Sequence, residues 1–265
     1  MKEPEDRLAA IRLVLVEPSG ALNIGSIARV MKNMGLSQWV VVQPHCDVRG
    51  EDAQRMAVHA CDLLDQLQVV ATLPEALVGC QRAIATTGRD DYTDASRLEH
   101  PRQALPWLLD GADQMPPVQS ALIFGPEDRG LSNIELNYAQ RWVQIPSSDR
   151  YRSLNLAQAV AVCCYELYQL AGSPETSLGS REAIAEPAAS LDALERYYQT
   201  LEDLLLRIGY LYPHTAESRM AKVRRLLNRA YPSSHEVSML HGVLRQVHWA
   251  IAQSAAPPSA EKKSD

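Results

Sequence analysis

Three short segments carry residues whose types and spacing suit chemistry. In NIGSIARVMKNMGL, Asn23 precedes Arg29 by six residues with Gly25 between them. Asparagine at a helix start accepts from open backbone N–H groups, glycine permits close backbone approach, and arginine adds a fixed cation. In LIFGPEDRGLSNIEL, an apolar strand runs into a loop framed by Gly125 and Gly130 that carries Glu127 and Arg129. Ser132 and Glu135 then have the spacing of a capping box. In QIPSSDRYRSLNLAQAVAVCCYEL, a strand ends at Ile145, Arg150 and Arg152 flank a polar loop, and Ser153 and Asn155 lead into a long apolar helix. Small polar side chains there satisfy open donors, and arginine forks suit phosphate. Each segment also has a plainer reading: Asn23 as a cap with Arg29 solvated, Pro126 and its glycines as a structural turn, Arg150 and Arg152 as surface residues.

These segments need a scaffold, and the chain supplies an alternating one. Strands are predicted at 11–16, 39–42, 68–71, 83–87, 121–124 and 142–145, with helices at about 24–34, 51–65, 74–79, 101–110, 132–139 and 155–171. That alternation gives an α/β fold, a mostly parallel sheet with helices on both faces, whose ligands gather at the carboxyl ends of strands. The three loops lie at such ends. After Leu170 the stretch AGSPETSLGSREAIAEPAAS has no sustained apolar period and reads as a linker. Beyond it, 190–208, 215–230 and 234–252 have helical spacing, for instance Leu191, Leu194, Tyr198, Leu201, Leu205 and Ile208. The expected organisation is a domain at 7–171, a linker at 172–189, a small all-α extension at 190–253 and a disordered tail at 254–265.

Composition excludes several classes. Hydrophobic residues at 46% and charged residues at 22% are an ordinary globular mix, so a real core is expected. No apolar run is long enough for a membrane span, and MKEPEDRLAA does not read as a signal peptide, so a cytoplasmic protein is expected. Five cysteines without a C-x-x-C pair read as reduced core residues. Seven histidines lack metal-ligand spacing; His241 and His248, seven apart, suit a core or surface role better than a site. Neither G-x-G-x-x-G nor G-x-x-x-x-G-K-[ST] occurs, which disfavours NAD and ATP. A net charge of −6 argues against indiscriminate coating of nucleic acid, so any RNA contact must be local. Arg219, Lys222, Arg224, Arg225 and Arg229 form such a local acid-free run on one predicted helix, with Leu226 and Leu227 placed to point inward. A solvated helix face is the alternative.

In order, N-x-G-x-x-x-R, F-G-x-E-x-x-G-L and I-P…S-L-N-L-x-x-A resemble the three motifs of the SPOUT class of RNA methyltransferases across about 160 residues. In layout the chain is most similar to the subgroup that adds a C-terminal helical extension and methylates the ribose of nucleotide 32 in the tRNA anticodon loop. The resemblance implies a C-terminal trefoil knot, S-adenosylmethionine as cofactor, tRNA as partner, no metal, and a homodimer whose sites are completed across the interface. LAQAVAVCCYELY would be the dimer contact, or else a helix buried within one chain. Carried over by motif, the donor would meet Thr86, Thr87, Gly88, Gly125, Ile145, Ser153, Leu154 and Asn155.

By the same resemblance Arg29 would be the catalytic arginine. Guanidinium groups hold their proton, so electrostatic stabilisation of the ribose oxygen and grip on a phosphate suit it better than general-base work. Ser153 and Asn155 would orient Arg29 or the hydroxyl, with Asn23 and Glu127 bracing the arginine. Arg150, Arg152 and the run from Arg219 to Arg229 would contact RNA. Competing readings are a methyltransferase acting on another tRNA or rRNA position, a non-catalytic RNA-binding protein of the same fold, and a small-molecule α/β enzyme. The full motif set argues against the second, and the basic helix with the missing nucleotide fingerprints against the third.

Overall fold

Strand and helix alternate from the start of the chain in the computed structural model, which describes residues 3–88, 98–148, 150, 153–173 and 187–254. The order is α1 (Pro4–Leu8), β1 (Ile11–Val16), α2 (Ala21–Asn33), β2 (Gln38–Val42), α3 (Glu51–Ala57), α4 (Cys61–Gln66), β3 (Gln68–Val70), α5 (Leu73–Ala76) and β4 (Arg82–Thr86). There follow β5 (Leu98–Glu99), α6 (Pro101–Ala104), α7 (Pro106–Leu109), β6 (Ser120–Phe124), α8 (Asn133–Leu136), β7 (Arg141–Val143) and α9 (Leu156–Gly172). Three helices close the chain: α10 (Leu191–Arg207), α11 (Pro213–Ala230) and α12 (Ser234–Ser254).

The seven strands form one sheet in the order β3-β2-β1-β6-β4-β7-β5, and every described pairing is parallel. Central strands β1 and β6 are buried almost throughout, as a sheet covered on both faces requires. On one face Leu13, Leu15, Ile84, Leu122 and Phe124 join a single core with residues of α2, α7 and α9. On the other face Arg12 donates to the carbonyl oxygens of Ala76 and Val78 near α5, and Trp142 donates to that of Leu136 in α8. The α/β expectation of a mostly parallel sheet with helices on both faces is met. The expected knot would thread segments that include residues outside those described.

Several predicted elements change shape. The helix expected at 51–65 is two, broken where Val58 takes φ 56°. That at 101–110 is also two, because Pro106 cannot continue a helix it does not begin. The strand β5 and helix α1 were not predicted. All five cysteines are free; Cys80, Cys163 and Cys164 are buried, and burial pushes the Cys80 thiol up to about 11 and Cys163 to about 12. Such thiols pack as small apolar groups. No helix among the described residues is long and apolar enough to cross a membrane.

The chain divides into two compact units, Met1–Ala185 with Ser190–Asp192, and Glu186–Ala189 with Ala193–Asp265. Residues 174–186 of the expected linker and the tail from 255 lie outside the described residues. Within the second unit, Leu194, Tyr197, Tyr198, Leu204, Leu211, Met220 and Leu244 are buried. The Tyr198 hydroxyl donates to Asn228 Oδ1 at 3.0 Å, satisfying both buried polar groups. A Ser233–Glu236 capping box starts α12.

Candidate functional site

At the carboxyl ends of β4, β6 and β7, beside the start of α9, lies a cavity of about 420 Å³. Each wall follows from local sequence. Beyond β4, Thr86, Thr87 and Gly88 form one side; Thr86 Oγ1 donates to the Ile123 carbonyl and Thr87 N to that of Val143, tying this loop to both neighbouring strands. Beyond β6, the loop from Gly125 to Gly130 forms the second. It folds back on itself so tightly that a Cβ at Gly125 would lie 2.4 Å from Leu131 N, and Gly130 takes φ 65°. Ile145, Ser153, Leu154, Leu156 and Ala159 complete the lining.

Seven of the eight residues expected to meet the donor, Thr86, Thr87, Gly88, Gly125, Ile145, Ser153 and Leu154, therefore line one cavity. Asn155, the eighth, is turned to another task. Its Oδ1 caps α9 by accepting from Ala157 N and Gln158 N, while its Nδ2 donates to Asn23 Oδ1 at 3.0 Å. Asn23 Nδ2 in turn donates to Glu127 Oε1 at 2.8 Å. Glu127 also accepts from Ser19 N, Ser19 Oγ and Gly20 N. A single relay thus joins the β6 loop, the start of α2 and the start of α9.

That relay corrects two sequence expectations. The cap of α2 is Gly20, with Asn23 already inside the first turn, and Glu127 accepts from the Ser19 and Gly20 amides at this helix end, where its negative charge also suits the helix dipole. Asn23 and Glu127 consequently brace each other and the helix start rather than Arg29. Burial opposes ionisation of Glu127, but hydrogen bonds from Asn23 and Ser19 outweigh it and hold the carboxyl below its ordinary range.

Arg29 sits two turns further along α2, exposed, without a side-chain hydrogen bond or ion pair among the described residues, and outside the lining of this cavity. Gly25 permits close approach, as expected of glycine, but what approaches is the Ala53 carbonyl of α3, 2.1 Å from where a Cβ would sit.

Arg129 lines the cavity as well, and its anchoring was illegible in the sequence. Its guanidinium bridges Glu17 at 2.8 Å and both oxygens of Glu135 at 2.8 and 3.0 Å, pinning the loop to the end of β1. Glu17 is 112 residues away and itself takes φ 47°, so no local signal marked the pair.

Among the expected RNA contacts, Arg150 is exposed near the third loop and Arg152 lies outside the described residues. On α11, Lys222, Arg219 and Arg229 are exposed. Arg224 is not a free cation: it is paired with Glu195, 2.7 Å from Oε1, and its guanidinium sits 4.5 Å from the Tyr198 ring centroid. Arg225 is half-buried, donating to the Ala221 carbonyl, and Leu226 is 57% exposed rather than inward. The α9 helix buries Val160, Cys163, Cys164 and Leu167 but leaves Val162, Tyr165 and Tyr168 exposed, so one face belongs to this chain's core and the other does not. Among the described residues no cluster suits a metal ion.

Comparison with known proteins identifies the family of both parts of the chain. Residues 10–165 match the SpoU rRNA methylase family, and residues 192–259 match the C-terminal domain of the tRNA methyltransferase TrmJ. The chain is 40% identical over 264 residues to the tRNA (cytidine/uridine/adenosine-2'-O-)-methyltransferase TrmJ of Pseudomonas aeruginosa, covering 97% of this chain and 99% of that one. It is 38% identical to the tRNA (cytidine/uridine-2'-O-)-methyltransferase TrmJ of Pectobacterium atrosepticum, covering 89% and 96%. The crystal structure of TrmJ from Z. mobilis superposes with a TM-score of 0.77 at 29% identity, covering 89% of this chain and 98% of that one. With both of its parts matched, and full-length relatives well above 30% identity, the chain belongs to the SpoU methylase family and, within it, to the TrmJ type.

Proposed function

We propose that this protein transfers a methyl group from S-adenosylmethionine to the ribose 2'-hydroxyl of a tRNA nucleotide, cytidine or uridine 32 of the anticodon loop. The observation that carries this reading is the strand-end cavity, whose lining gathers seven residues that the motif resemblance had named from three distant segments. The names of the full-length relatives support tRNA and the 2'-oxygen; position 32 rests on the layout of the motifs with a helical extension.

The lining suits the proposed donor. Its volume lies in the range for a small ligand, and Phe124, Ile145, Leu154 and Leu156 offer apolar surface beside loop backbone left open by Gly88 and Gly130. When bound, S-adenosylmethionine supplies an electrophilic methyl on a positively charged sulfur, and in-line transfer to oxygen requires no metal. This chain's residues must then hold the donor and stabilise charge on a barely acidic hydroxyl. The loops ending β4, β6 and β7 do the first. Arg29, as a lasting cation, would do the second and grip the neighbouring phosphate. The Glu127–Asn23–Asn155 relay acts through α2, fixing the helix that carries Arg29 against the start of α9, which carries Ser153 and Leu154 just ahead of it.

The reading includes the trefoil knot, a cytoplasmic site of action, and a homodimer that brings Arg29 of one copy toward the cavity of another, with the exposed α9 face as contact. It keeps a methyltransferase domain at 7–171 and an RNA-binding extension at 190–253 as its two parts. Nucleoside mass spectrometry of tRNA from cells lacking the protein tests the reading: one 2'-O-methyl mark should disappear, and an unchanged set of marks would reject it.

A further inference from the structure

Where α10 gives way to α11, the second unit pushes two aromatic rings into solvent. Gly209 takes φ 74°, and the amides of Tyr210 and Leu211 both donate to the Leu205 carbonyl at 3.0 Å. This turn buries Leu211 to 2% exposure, and its neighbours consequently face outward, Tyr210 at 61% and Tyr212 at 55%. Pro213 then opens α11 with a fixed φ, holding Tyr212 at the helix start. The Tyr212 ring stacks on His214, centroids 6.0 Å apart at 23°. The Arg219 guanidinium sits 5.8 Å from the Tyr210 centroid and donates to the Tyr210 carbonyl at 3.2 Å.

The same unit buries Tyr197 and Tyr198, so it has room for tyrosine in its core, yet it leaves these two outside. Flat exposed rings beside a cation are what proteins use to hold unpaired nucleobases, because every base has a face to stack and guanidinium adds attraction. Charge favours the same occupant. Arg219 and Lys222 are three residues apart on α11 and share a side, with Arg229 seven further on, and all three are exposed. Glu217, the one acidic residue of α11, lies two residues from Arg219 and so on a different side.

We infer that Tyr210 and Tyr212, with Arg219, form a stacking platform for unpaired bases of an RNA loop, while Lys222 and Arg229 follow its phosphates. The inference rests on the tRNA reading and narrows it: helical RNA keeps its bases stacked inside, so such a platform selects loop nucleotides.

The test uses the full-length protein, a tRNA transcript, and a single-stranded decaribonucleotide carrying 2-aminopurine together with the same strand in a duplex. Wild type should quench the single-stranded probe and leave the duplex unchanged. The double variant Tyr210→Ala/Tyr212→Ala should lose the quenching and bind tRNA at least about tenfold more weakly. Tyr210→Phe/Tyr212→Phe, which keeps both rings, should stay within about twofold of wild type in tRNA affinity. If wild type methylates tRNA while the double alanine variant keeps its affinity, the platform is refuted and the functional reading stands. If wild type fails to methylate tRNA, the functional reading falls, and the platform survives only if the single-stranded probe is still quenched. Should the alanine pair convert a dimer to a monomer in sedimentation without weakening tRNA binding, the rings seat a second copy and the inference is overturned.

Discussion

Glu127 carries much of the local order at the site through four acceptor contacts and a single carboxylate. Its partners Ser19, Gly20 and Asn23 are all donors, so Glu127→Gln would turn an amide N–H against one of them. We expect that variant to lose about 1–3 kcal/mol of stability, read as a lower urea midpoint with unchanged slope. Glu135 behaves alike, with burial opposing ionisation and Arg129 and Ser132 outweighing it. Both carboxyls titrate below their ordinary 4.5 in the folded protein, so the stability they contribute is complete above that value and is lost as pH falls from it through the folded values. In the double variant Glu127→Gln/Glu135→Gln the drop of thermal midpoint below pH 4.5 should be shallower than in wild type. The capping box at Ser132 was legible because its partner lies three residues away, and Asn155 was legible as a small polar side chain at a helix start. The true role of Asn23 was not, because the acceptor that relieves it of capping comes from 104 residues further along.

Among elements, α2 is the piece that the site depends on, and its position is set by how closely α3 can approach. Gly25 makes that approach possible. In Gly25→Ala the new methyl would meet the Ala53 carbonyl at 2.1 Å and Met56 Cβ at 2.7 Å. Backbone cannot yield cheaply there, so we expect a loss of about 1–3 kcal/mol by urea denaturation, together with weaker tRNA methylation as α2 shifts. A variant as stable as wild type would show that α3 moves freely. Most elements were readable from period and loop chemistry, since strands such as Ile11–Val16 are apolar but for Arg12 and run into a polar turn. The break between α3 and α4 was not, because MAVHACDLL contains neither glycine nor proline and yet Val58 adopts a positive φ. The break at Pro106 was readable by rule and simply outweighed by the apolar run around it.

For the whole molecule, packing within the second unit separates residues that looked equivalent on one predicted helix. Arg224 holds the second unit together, so Arg224→Ala should leave Glu195 unpaired and cost about 3 kcal/mol in stability. Lys222→Ala and Arg229→Ala should leave stability unchanged and each lower the salt slope of tRNA binding by about one. Equal effects of all three on the salt slope would contradict this assignment. Helical spacing alone placed all of them on a basic stripe; what distinguishes Arg224 is Glu195 on a neighbouring helix, and no pattern within α11 reveals it.

The most direct measurement is made with the purified protein, S-adenosylmethionine and an unmodified tRNA transcript, followed by nuclease digestion and mass mapping of the methylated fragment. The account predicts one added methyl on the ribose of nucleotide 32, absent with Arg29→Ala although that variant still binds the donor by calorimetry. A methyl on a base, or no transfer by wild type with any tRNA despite donor binding, would contradict it.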